Sequence, residues 1–512
     1  MSYPCWTEKI EIVQRRQHAN SQLPANVHPS SEFTNQGDAL MRFQFHPPTL
    51  LRSLAATSAL VIAGLVAAPS AAQEEDFPIL FTNVHVFDGV NEQRIENANV
   101  LVIGNLISEV STEPLAVANA QIIDGGGRTL MPGLIDSHTH IYATGVFQTF
   151  AGLQAAKWDQ IGAVATENAA DYLYDGYTTI RDTGGMGSGL RELIDQGVVE
   201  GPRVYTAGAA IGPTSGHGDW RNPLQRSFET IPEDMGARLN MSYVADGIDE
   251  IRKASRLNFA HGASFLKLMA GGGVSSELDP LWSIAYSVDE IAAAVEAASF
   301  FDTYVTVHAY TDETVSMALD AGVKSLEHGQ MVTEDTVKRI ADEGIFWALN
   351  VAGMDPQLLG HPNYAMPTVK PKLEAYLEGS ENLVSYIKKH KPKIVHNVDT
   401  VLSTIGFGRA HRDFEKYYFA ELFGNHAFLV AATSTGGELA QLTGKRNPYP
   451  NKLGVIEAGA YADILLVDGN PLEDLSVLGA NPEWFDAAPR DRGFETIRLI
   501  MKDGVIYKNT LN

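Results

Sequence analysis

The sequence has almost no cysteine: Cys5 is the only one in 512 residues. It therefore offers no disulfide framework, no thiol nucleophile in a folded core and no thiolate cluster for zinc. Positive charge is also scarce, because 38 Lys and Arg residues stand against 62 Asp and Glu residues and form no basic run. The formal net charge of -24 makes nucleic acid and anionic membrane surfaces poor partners.

A membrane-spanning run is missing as well, since the apolar stretch Leu54–Ala68 is shorter than the roughly 20 residues that cross a bilayer. Two arginines lie near its start, and small residues before Gln73 form a cleavage site. This pattern predicts a secretory signal peptide over residues 41–72 and an exported, periplasmic or extracellular protein without membrane contact after cleavage. Residues 1–40 are polar and unpatterned, and we interpret them as a mis-called start or a disordered leader.

Short β-like segments occupy both ends of the remaining chain. Apolar and polar residues alternate between Gly- and Asn-containing turns from residue 78 to 129, and the same texture returns in ADILLVDG and TIRLIMKDGVIYKN. We therefore predict a small β-sandwich domain built from residues 73–132 and 451–512.

Between these ends, over residues 133–450, apolar runs alternate with helical patterns. We count eight runs: GLIDSHTH, YTTIRDTGG, RVYTAGAAI, SFLKLMAGGG, YVTVHAY, KSLEHG, IFWALNV and KIVHNVDT. This alternation predicts an α/β fold, a (β/α)8 TIM-type barrel. A doubly wound open sheet is the alternative, but it would place a Gly-rich phosphate turn after the first strand, which here ends in histidines.

Side chains that bind metal stand at the ends of five of these runs, and in a barrel those ends carry the active site. The candidates are His138, His140, Lys267, His308, His328 and Asp399. Each could alone be an ordinary buried polar group. Together they predict a site for divalent ions, for which imidazole and carboxylate are suitable ligands.

Such a site suits hydrolysis. A metal ion lowers the pKa of bound water from about 15.7 to about 7, and two ions can share one hydroxide. Asp399 would take the proton from that water and pass it to the leaving nitrogen.

Other side chains near the strand ends are candidates for substrate contacts. Arg181 could bind a substrate carboxylate, with a structural ion pair as an equal alternative. His217, flanked by glycines, could polarise the scissile carbonyl as a catalytic group. Tyr142 and Tyr310 could donate to substrate or pack in the core. The segment 355–391 could form the pocket wall or an oligomer contact.

At these residues the chain resembles the amidohydrolase superfamily. The matching stretches are LMPGLIDSHTH, FLKLMAGGGVSS, VTVHAY, SLEHG and NVDT, and LGVIEAGAYADILLVDGNPLEDL is similar to the family's return into its small β domain. The resemblance covers residues 79–512 and implies two divalent ions, expected to be zinc. It implies that one ion is held by His138, His140 and Asp399, the other by His308 and His328, with carboxylated Lys267 as the bridge.

Within the superfamily the chain is most similar to the imidazolonepropionase-like group, which includes carboxypeptidase-like enzymes and bacterial ochratoxin-hydrolysing amidohydrolases. This resemblance implies a homo-oligomer that hydrolyses a small-molecule amide or dipeptide, such as ochratoxin A to ochratoxin α and phenylalanine. One departure is Asn397-Val398-Asp399, where the family often has Gly-Thr-Asp.

Other functions share parts of this pattern. A mononuclear deaminase would lack the bridging Lys267, and a non-catalytic scaffold would have lost ligands that are all present here. A dipeptidase or carboxypeptidase, a lactonase and a phosphotriesterase-like hydrolase remain alternatives, because the same hydroxide can attack each of these bonds.

Overall fold

A computed structural model of the protein describes residues 78–145, 152–153, 155–185, 187–221, 236, 239–276, 279–361, 364–401, 403–485 and 487–511. The predicted leader and signal peptide lie outside these residues. Within the described part of the chain, no helix is long and apolar enough to span a bilayer.

One sheet combines strands from both ends of the described chain. Its seven strands are β1 (Ile79–Val86), β2 (Ile95–Ile103), β3 (Leu106–Ser111), β4 (Gln121–Pro132), β15 (Ile464–Val467), β16 (Ile497–Lys502) and β17 (Val505–Asn509). They lie in the order β17-β16-β15-β4-β1-β2-β3. Strand β4 joins the two groups, because it pairs in parallel with β1 and antiparallel with β15. The sheet fits a small β domain, while the sandwich and its boundaries stay predictions.

The inner face of this sheet is apolar. Phe81, Val84 and Val86 are fully buried and belong to one cluster with Ile464 and other residues of the C-terminal strands. The pairing register of β1 shifts between Phe81 and Val84, where Asn83 has a φ of 53°. This bulge resets the two-residue alternation, so that the apolar side chains on both sides of it reach the same core.

Parallel strands make up the middle of the chain. They are β5 (Leu134–Thr139), β6 (Tyr177–Asp182), β7 (Arg203–Thr206), β8 (Ala210–Gly212), β9 (Ser242–Val244), β10 (Leu266–Met269), β11 (Val305–Thr311), β12 (Ser325–Met331), β13 (Phe346–Ala348) and β14 (Lys393–Val395). Two sheets contain them, in the orders β14-β13-β12-β11-β10-β8-β9 and β5-β6-β7.

Helices alternate with these strands, as the sequence pattern predicts. They are α1 (Trp158–Tyr174), α2 (Gly187–Asp195), α3 (Gly247–Ala260), α4 (Val288–Ser299), α5 (Asp312–Asp320), α6 (Glu334–Asp342), α7 (Lys370–Ser380), α8 (Leu383–His390), α9 (Ile405–Phe423), α10 (Asn425–Ala431) and α11 (Ser434–Gln441). Hydroxyl caps fix several starts: Ser287, Thr311 and Thr333 each accept a hydrogen bond from a backbone N–H three residues ahead.

The third predicted strand, RVYTAGAAI, is two strands, β7 and β8, in different sheets. Between them Gly208 has a φ of 68°, and a Cβ there would lie 2.6 Å from Oδ1 of Asn258. That amide pairs with the backbone of Ala209 through both its oxygen (2.9 Å) and its nitrogen (2.7 Å). A helix side chain thus takes the backbone groups that a continuous strand would pair.

The paired strands do not form one closed ladder among the described residues. Single backbone hydrogen bonds cross the gaps: Ser137 N–H donates to His396 O (2.9 Å) and Ser264 N–H donates to Thr206 O (2.7 Å). The prediction of a mixed α/β fold is confirmed, and barrel closure stays a prediction.

Candidate metal centre

Five of the eight predicted strands bring their carboxyl ends to one cavity. The register of β10, β11 and β12 places Met269 opposite His308 and Ala309 opposite His328. The cavity measures about 70 Å³. All six sequence-predicted metal ligands line it: His138, His140, Lys267, His308, His328 and Asp399.

The tightest group in this cavity is His138, His140 and Asp399. The Nε2 atoms of the two histidines are 3.2 Å apart, and they lie 3.3 and 3.5 Å from Oδ1 of Asp399. One ligand atom from each residue falls within 4.8 Å of the others. These three side chains come from the end of β5 and the loop after β14.

The hydrogen-bond partners of the Nδ1 atoms determine whether the Nε2 atoms of His138 and His140 are donors or acceptors. Nδ1 of His140 lies 3.0 Å from the carbonyl of Gly184, and Nδ1 of His138 lies 2.7 Å from Oε2 of Glu327. Both partners are acceptors, so both Nδ1 atoms carry the hydrogen and both Nε2 atoms are acceptors in the neutral rings. Two lone pairs and the carboxylate of Asp399 then converge, and only a cation or a proton can stand between them.

The second pair of histidines lies across the cavity. The ring centroid of His328 is 4.5 Å from that of His308 and 5.2 Å from that of His138. Nε2 of His308 donates to the carbonyl of Gly272 (3.2 Å), which leaves its Nδ1 as an acceptor. His328 has a φ of 71°, a left-handed backbone conformation that is strained for a residue other than glycine.

Lys267 on β10 is 1% exposed. Among the described residues its ammonium group makes no hydrogen bond or ion pair. Burial lowers the pKa of Lys267 to about 8, although the nearby carboxylates of Glu327 and Asp399 oppose this effect. A buried amine without such partners is costly to keep charged, so burial makes the neutral nitrogen, the form that reacts with electrophiles, more accessible near neutral pH than in an exposed lysine.

Asp399 sits on a strained turn, with a φ of 54°, and its N–H donates to the carbonyl of His138 (3.1 Å). Burial alone would raise the pKa of Asp399, but the surrounding histidines, His138 first, hold it well below its usual range. Nearby Asn397 accepts from the N–H groups of Leu349 and Asn350 at 2.9 and 3.1 Å. The departure from Gly-Thr-Asp therefore ties this turn to the end of β13.

The structure assigns Arg181 a different place from the predicted substrate contact. It is 3% exposed and lies outside the cavity lining. Its guanidinium pairs with Glu327 and donates to Ser137 O (2.6 Å) and to Tyr304 Oη (3.1 Å). The donors are engaged in this internal network, so of the two alternatives the structural ion pair, here with Glu327, describes Arg181.

Glu327 is a site residue that the sequence analysis missed. It is completely buried at the side chain and accepts hydrogen bonds from His138, Arg181 and Thr306 Oγ1 (2.6 Å). Burial would raise its pKa, but Arg181, His138 and Lys267 hold it well below the usual range. A glutamate in the middle of the apolar run KSLEHG was the available signal, because a buried carboxylate requires partners.

His217 borders the cavity as predicted. Its ring stacks on that of His308 with centroids 4.1 Å apart and an interplanar angle of 13°. Its Nδ1 lies 3.0 Å from Oδ2 of Asp279, which orients the ring and leaves Nε2 as the other functional nitrogen. The ring of Trp220, 6.2 Å away, lies next to it on the cavity wall.

Tyr142 and Tyr310 also line the cavity. The ring of Tyr310 stacks on His328 with centroids 4.8 Å apart, and Tyr142 lies 6.4 Å from His140. Neither hydroxyl makes a hydrogen bond to a described residue. Burial raises the pKa of both phenols, so each remains a neutral donor.

The chain is similar in sequence to known proteins. Residues 129–357 match the Amidohydrolase family. Ochratoxinase of Aspergillus niger is 28% identical over 362 residues, which cover 68% of this chain and 72% of that protein. An imidazolonepropionase of Geobacillus sp. (strain WCH70) is 24% identical over 294 residues, 50% of this chain and 62% of that protein.

Two solved structures are similar to this chain over most of its length. The crystal structure of a prolidase in complex with N-methylphosphonate-L-proline has a TM-score of 0.72 and 29% identity, covering 84% of this chain and 100% of that one. The crystal structure of an amidohydrolase has a TM-score of 0.73 and 30% identity, covering 85% of this chain and all of that one. With the histidines, lysine and aspartate of its cavity in place, the chain belongs to the amidohydrolase family.

Proposed function

We propose that this protein is a two-metal hydrolase that cleaves the amide bond of an N-acyl or peptidyl amino acid. The observation that carries the proposal is the convergence of two imidazole acceptors and the Asp399 carboxylate within hydrogen-bonding distance, beside a buried lysine that has no hydrogen-bond or ion-pair partner among the described residues. Three acceptors that face one another need a positive ion between them.

The residues fit two divalent ions, with zinc as the expected metal. His138, His140 and Asp399 would hold one ion, and His308 and His328 the other. Bound ions would supply Lewis acidity and make water acidic enough to react at neutral pH. Glu327 and the Gly184 carbonyl fix the ring orientations of the β5 histidines, as outer partners of metal-binding histidines commonly do.

Lys267 is proposed to be carboxylated. Its neutral amine would add to carbon dioxide and lose one proton, which gives a carbamate with two oxygens in place of a single nitrogen. Nζ makes no hydrogen bond to a described residue and Lys267 lines the cavity, so no such contact would have to break for this addition. Two oxygens could reach both ligand groups, which one amine could not.

The remaining polar groups have proposed roles in the reaction. Asp399, which its lowered pKa keeps ionised, would accept a proton from the attacking water and deliver it to the leaving nitrogen. His217 would polarise the scissile carbonyl, and the hydroxyls of Tyr142 and Tyr310 would donate to the substrate. Among the described lining residues Lys267 is the only Lys or Arg, so neutral donors would bind a substrate carboxylate.

Two substrate classes follow from the relatives. The relative named ochratoxinase favours an aromatic N-acyl amino acid such as ochratoxin A, cleaved to ochratoxin α and phenylalanine. The prolidase neighbour, solved with a proline phosphonate, favours a dipeptide. A lactone or phosphotriester remains the alternative for a hydroxide-based site. We further propose a closed (β/α)8 barrel, export directed by residues 41–72, and a homo-oligomer.

The experiment is phenylalanine release from ochratoxin A by protein purified from Gln73 onward, with a metal-stripped aliquot alongside. A panel of Xaa-Pro and Xaa-Phe dipeptides, a lactone and a phosphotriester is assayed in parallel. Release from an amide that stops on stripping and returns with zinc supports the proposal. Turnover of only the lactone or the phosphotriester would contradict it.

A further inference from the structure

We propose that Lys372, in the long segment before β14, is a positioning residue that holds His217 at the metal centre through the loop after β10. The inference rests on the proposed function for the role of His217. The segment 355–391 would then also have a role, because its helix α7 would support the cavity wall.

Lys372 lies near the start of α7 and is half-buried. Its ammonium donates to three backbone carbonyls of one loop: Gly273 (2.7 Å), Ser276 (2.5 Å) and Asp279 (3.0 Å). An ammonium has three donors, and all three are used on this loop. Hydrogen bonds from a charged donor are about twice as strong as neutral ones, so the contact fixes the loop firmly.

The same loop holds His217. Oδ2 of Asp279 accepts from the N–H of Gly273 (2.6 Å) and from Nδ1 of His217 (3.0 Å). A Cβ at Gly273 would lie 2.4 Å from Cε1 of the His217 ring, so the backbone passes directly against the imidazole. The ring is therefore enclosed by this loop on one side and by His308 on the other.

Helix α7 makes a second contact with the site. The ring of Tyr376, one turn after Lys372, meets Tyr310 edge-on with centroids 5.6 Å apart, and Tyr310 stacks on His328. Leu373 and Tyr376 are buried, which anchors the helix on this side of the molecule. Helix α7 thus contacts the site in two ways. Lys372 acts on His308 of β11 through the loop and His217, and Tyr376 contacts His328 of β12 through Tyr310.

The geometry is specific to lysine. A methionine would keep the length and the apolar stem but leave three carbonyls without their donor. An arginine would keep the charge, but its planar fork does not match three carbonyls that converge on one point. Loss of the three hydrogen bonds from Lys372 should let Asp279 move, and His217 should then lose its fixed orientation.

The test compares Lys372→Met with Lys370→Met, a matched control on the same helix whose lysine is exposed and, among the described residues, pairs only with Glu374 at 3.8 Å. Hydrogen exchange of peptides that cover residues 270–276 is measured, together with metal content, melting temperature, kcat and KM on the best amide substrate. The expected result is faster exchange and a roughly tenfold lower kcat in Lys372→Met, with little change in KM or metal content and no change in the control.

A double variant distinguishes positioning from general damage. In a His217→Ala background, Lys372→Met should cause no further loss of kcat, because the two act as one unit. Unchanged exchange, unchanged kcat, or losses that multiply in the double variant would each overturn the inference. If Lys372→Met does not fold, Lys372→Arg takes its place with the same expectations. If the wild-type protein turns over no amide, the proposed function fails, while hydrogen exchange still tests whether Lys372 holds the loop after β10.

Discussion

Two imidazole nitrogens 3.2 Å apart, each with its hydrogen on the far side of the ring, are an unstable arrangement without a positive ion. The fixed partners of their Nδ1 atoms, Glu327 and the Gly184 carbonyl, prevent either ring from turning to relieve the repulsion. The geometry of these residues thus fits the proposed metal ion, because outer partners that fix the ring orientations are common at metal-binding histidines.

Lys267→Ala should lose both metal retention and activity, because it removes the group that is proposed to bridge the two ligand sets. Metal content by elemental analysis and turnover on the amide substrate test this. Lys324→Ala, which changes an exposed lysine of the adjacent strand region, should behave like the wild type. Full activity of Lys267→Ala would rule out the carbamate bridge.

Asp399→Asn should leave folding intact and reduce kcat by 100-fold or more, a fall typical of the loss of a positioned acid–base group. The amide is nearly isosteric but cannot accept the proton from the attacking water. Circular dichroism establishes the fold and steady-state kinetics the loss. A rate close to that of the wild type would assign proton transfer to another residue.

Glu327→Gln should weaken metal binding by about 10- to 100-fold, because the amide orients and polarises His138 less well than the carboxylate. It should also lower stability by a few kcal/mol, since Arg181 keeps a buried charge without its partner. Metal titration and urea unfolding measure the two effects. Glu109→Gln, at an exposed position, is the control; equal metal affinity in both variants would contradict the account.

At the scale of elements, the alternation of apolar runs predicted the parallel strands, because buried strands and amphipathic helices leave distinct periods in the sequence. The split of the third run could not be predicted. It depends on Gly208 and on the amide of Asn258, which lies 50 residues further along the chain. Contacts of this kind are set by tertiary packing and have no local signal.

The candidate site, too, could be predicted only in part from the sequence. The convergence of its candidate metal ligands in one cavity was predictable, because histidines and an aspartate at the ends of apolar runs are a chemical pattern visible in the sequence. The residues that orient these side chains or support the cavity wall could not be predicted. Glu327, Asp279 and Lys372 act through partners from distant elements. The two alternatives for Arg181, a substrate contact and a structural ion pair, stayed open in the sequence because its partner Glu327 lies 146 residues away.

Helices α1 and α9 are joined by a buried ionic network. Arg412 of α9 donates to Asp171 (2.5 Å) and to Asp175 (2.8 Å), and Arg490 also pairs with Asp175 (2.8 Å). Burial would raise the pKa of Asp175, but Arg412 and Arg490 hold it well below its usual range. Stability from this carboxylate is therefore present above its unfolded pKa of 3.8 and is lost as pH falls below it.

Arg412→Met should lower the free energy of unfolding by about 3–5 kcal/mol, because two buried carboxylates lose their shared partner. Urea unfolding at neutral pH measures the loss. The difference from the wild type should shrink in acid, where the carboxylates are protonated. Lys393→Met, which removes an exposed ion pair with Glu438, should cost at most about 1 kcal/mol. A similar small cost for Arg412→Met would show that the network is not a stabilising joint.

At the scale of the whole molecule, metal affinity should depend on pH. Burial opposes protonation of His140, but the hydrogen bond and charge of Asp399 outweigh it and raise its pKa. Since a proton on Nε2 occupies the place of the ion, metal retention should fall as pH drops through a value above 6.5, the ordinary pKa of histidine. Metal content after dialysis across pH 5–8 measures this; retention that does not change would contradict the competition.

The central claim is that two ions in one cavity carry the hydrolysis of an amide. The most direct test is a titration of the metal-stripped protein with zinc, with the rate of amino-acid release from the preferred amide substrate recorded at each addition. We expect little activity without metal and a rate that rises until two equivalents per chain are bound. A rate that is unaffected by stripping, or complete at one equivalent, would contradict a two-metal centre.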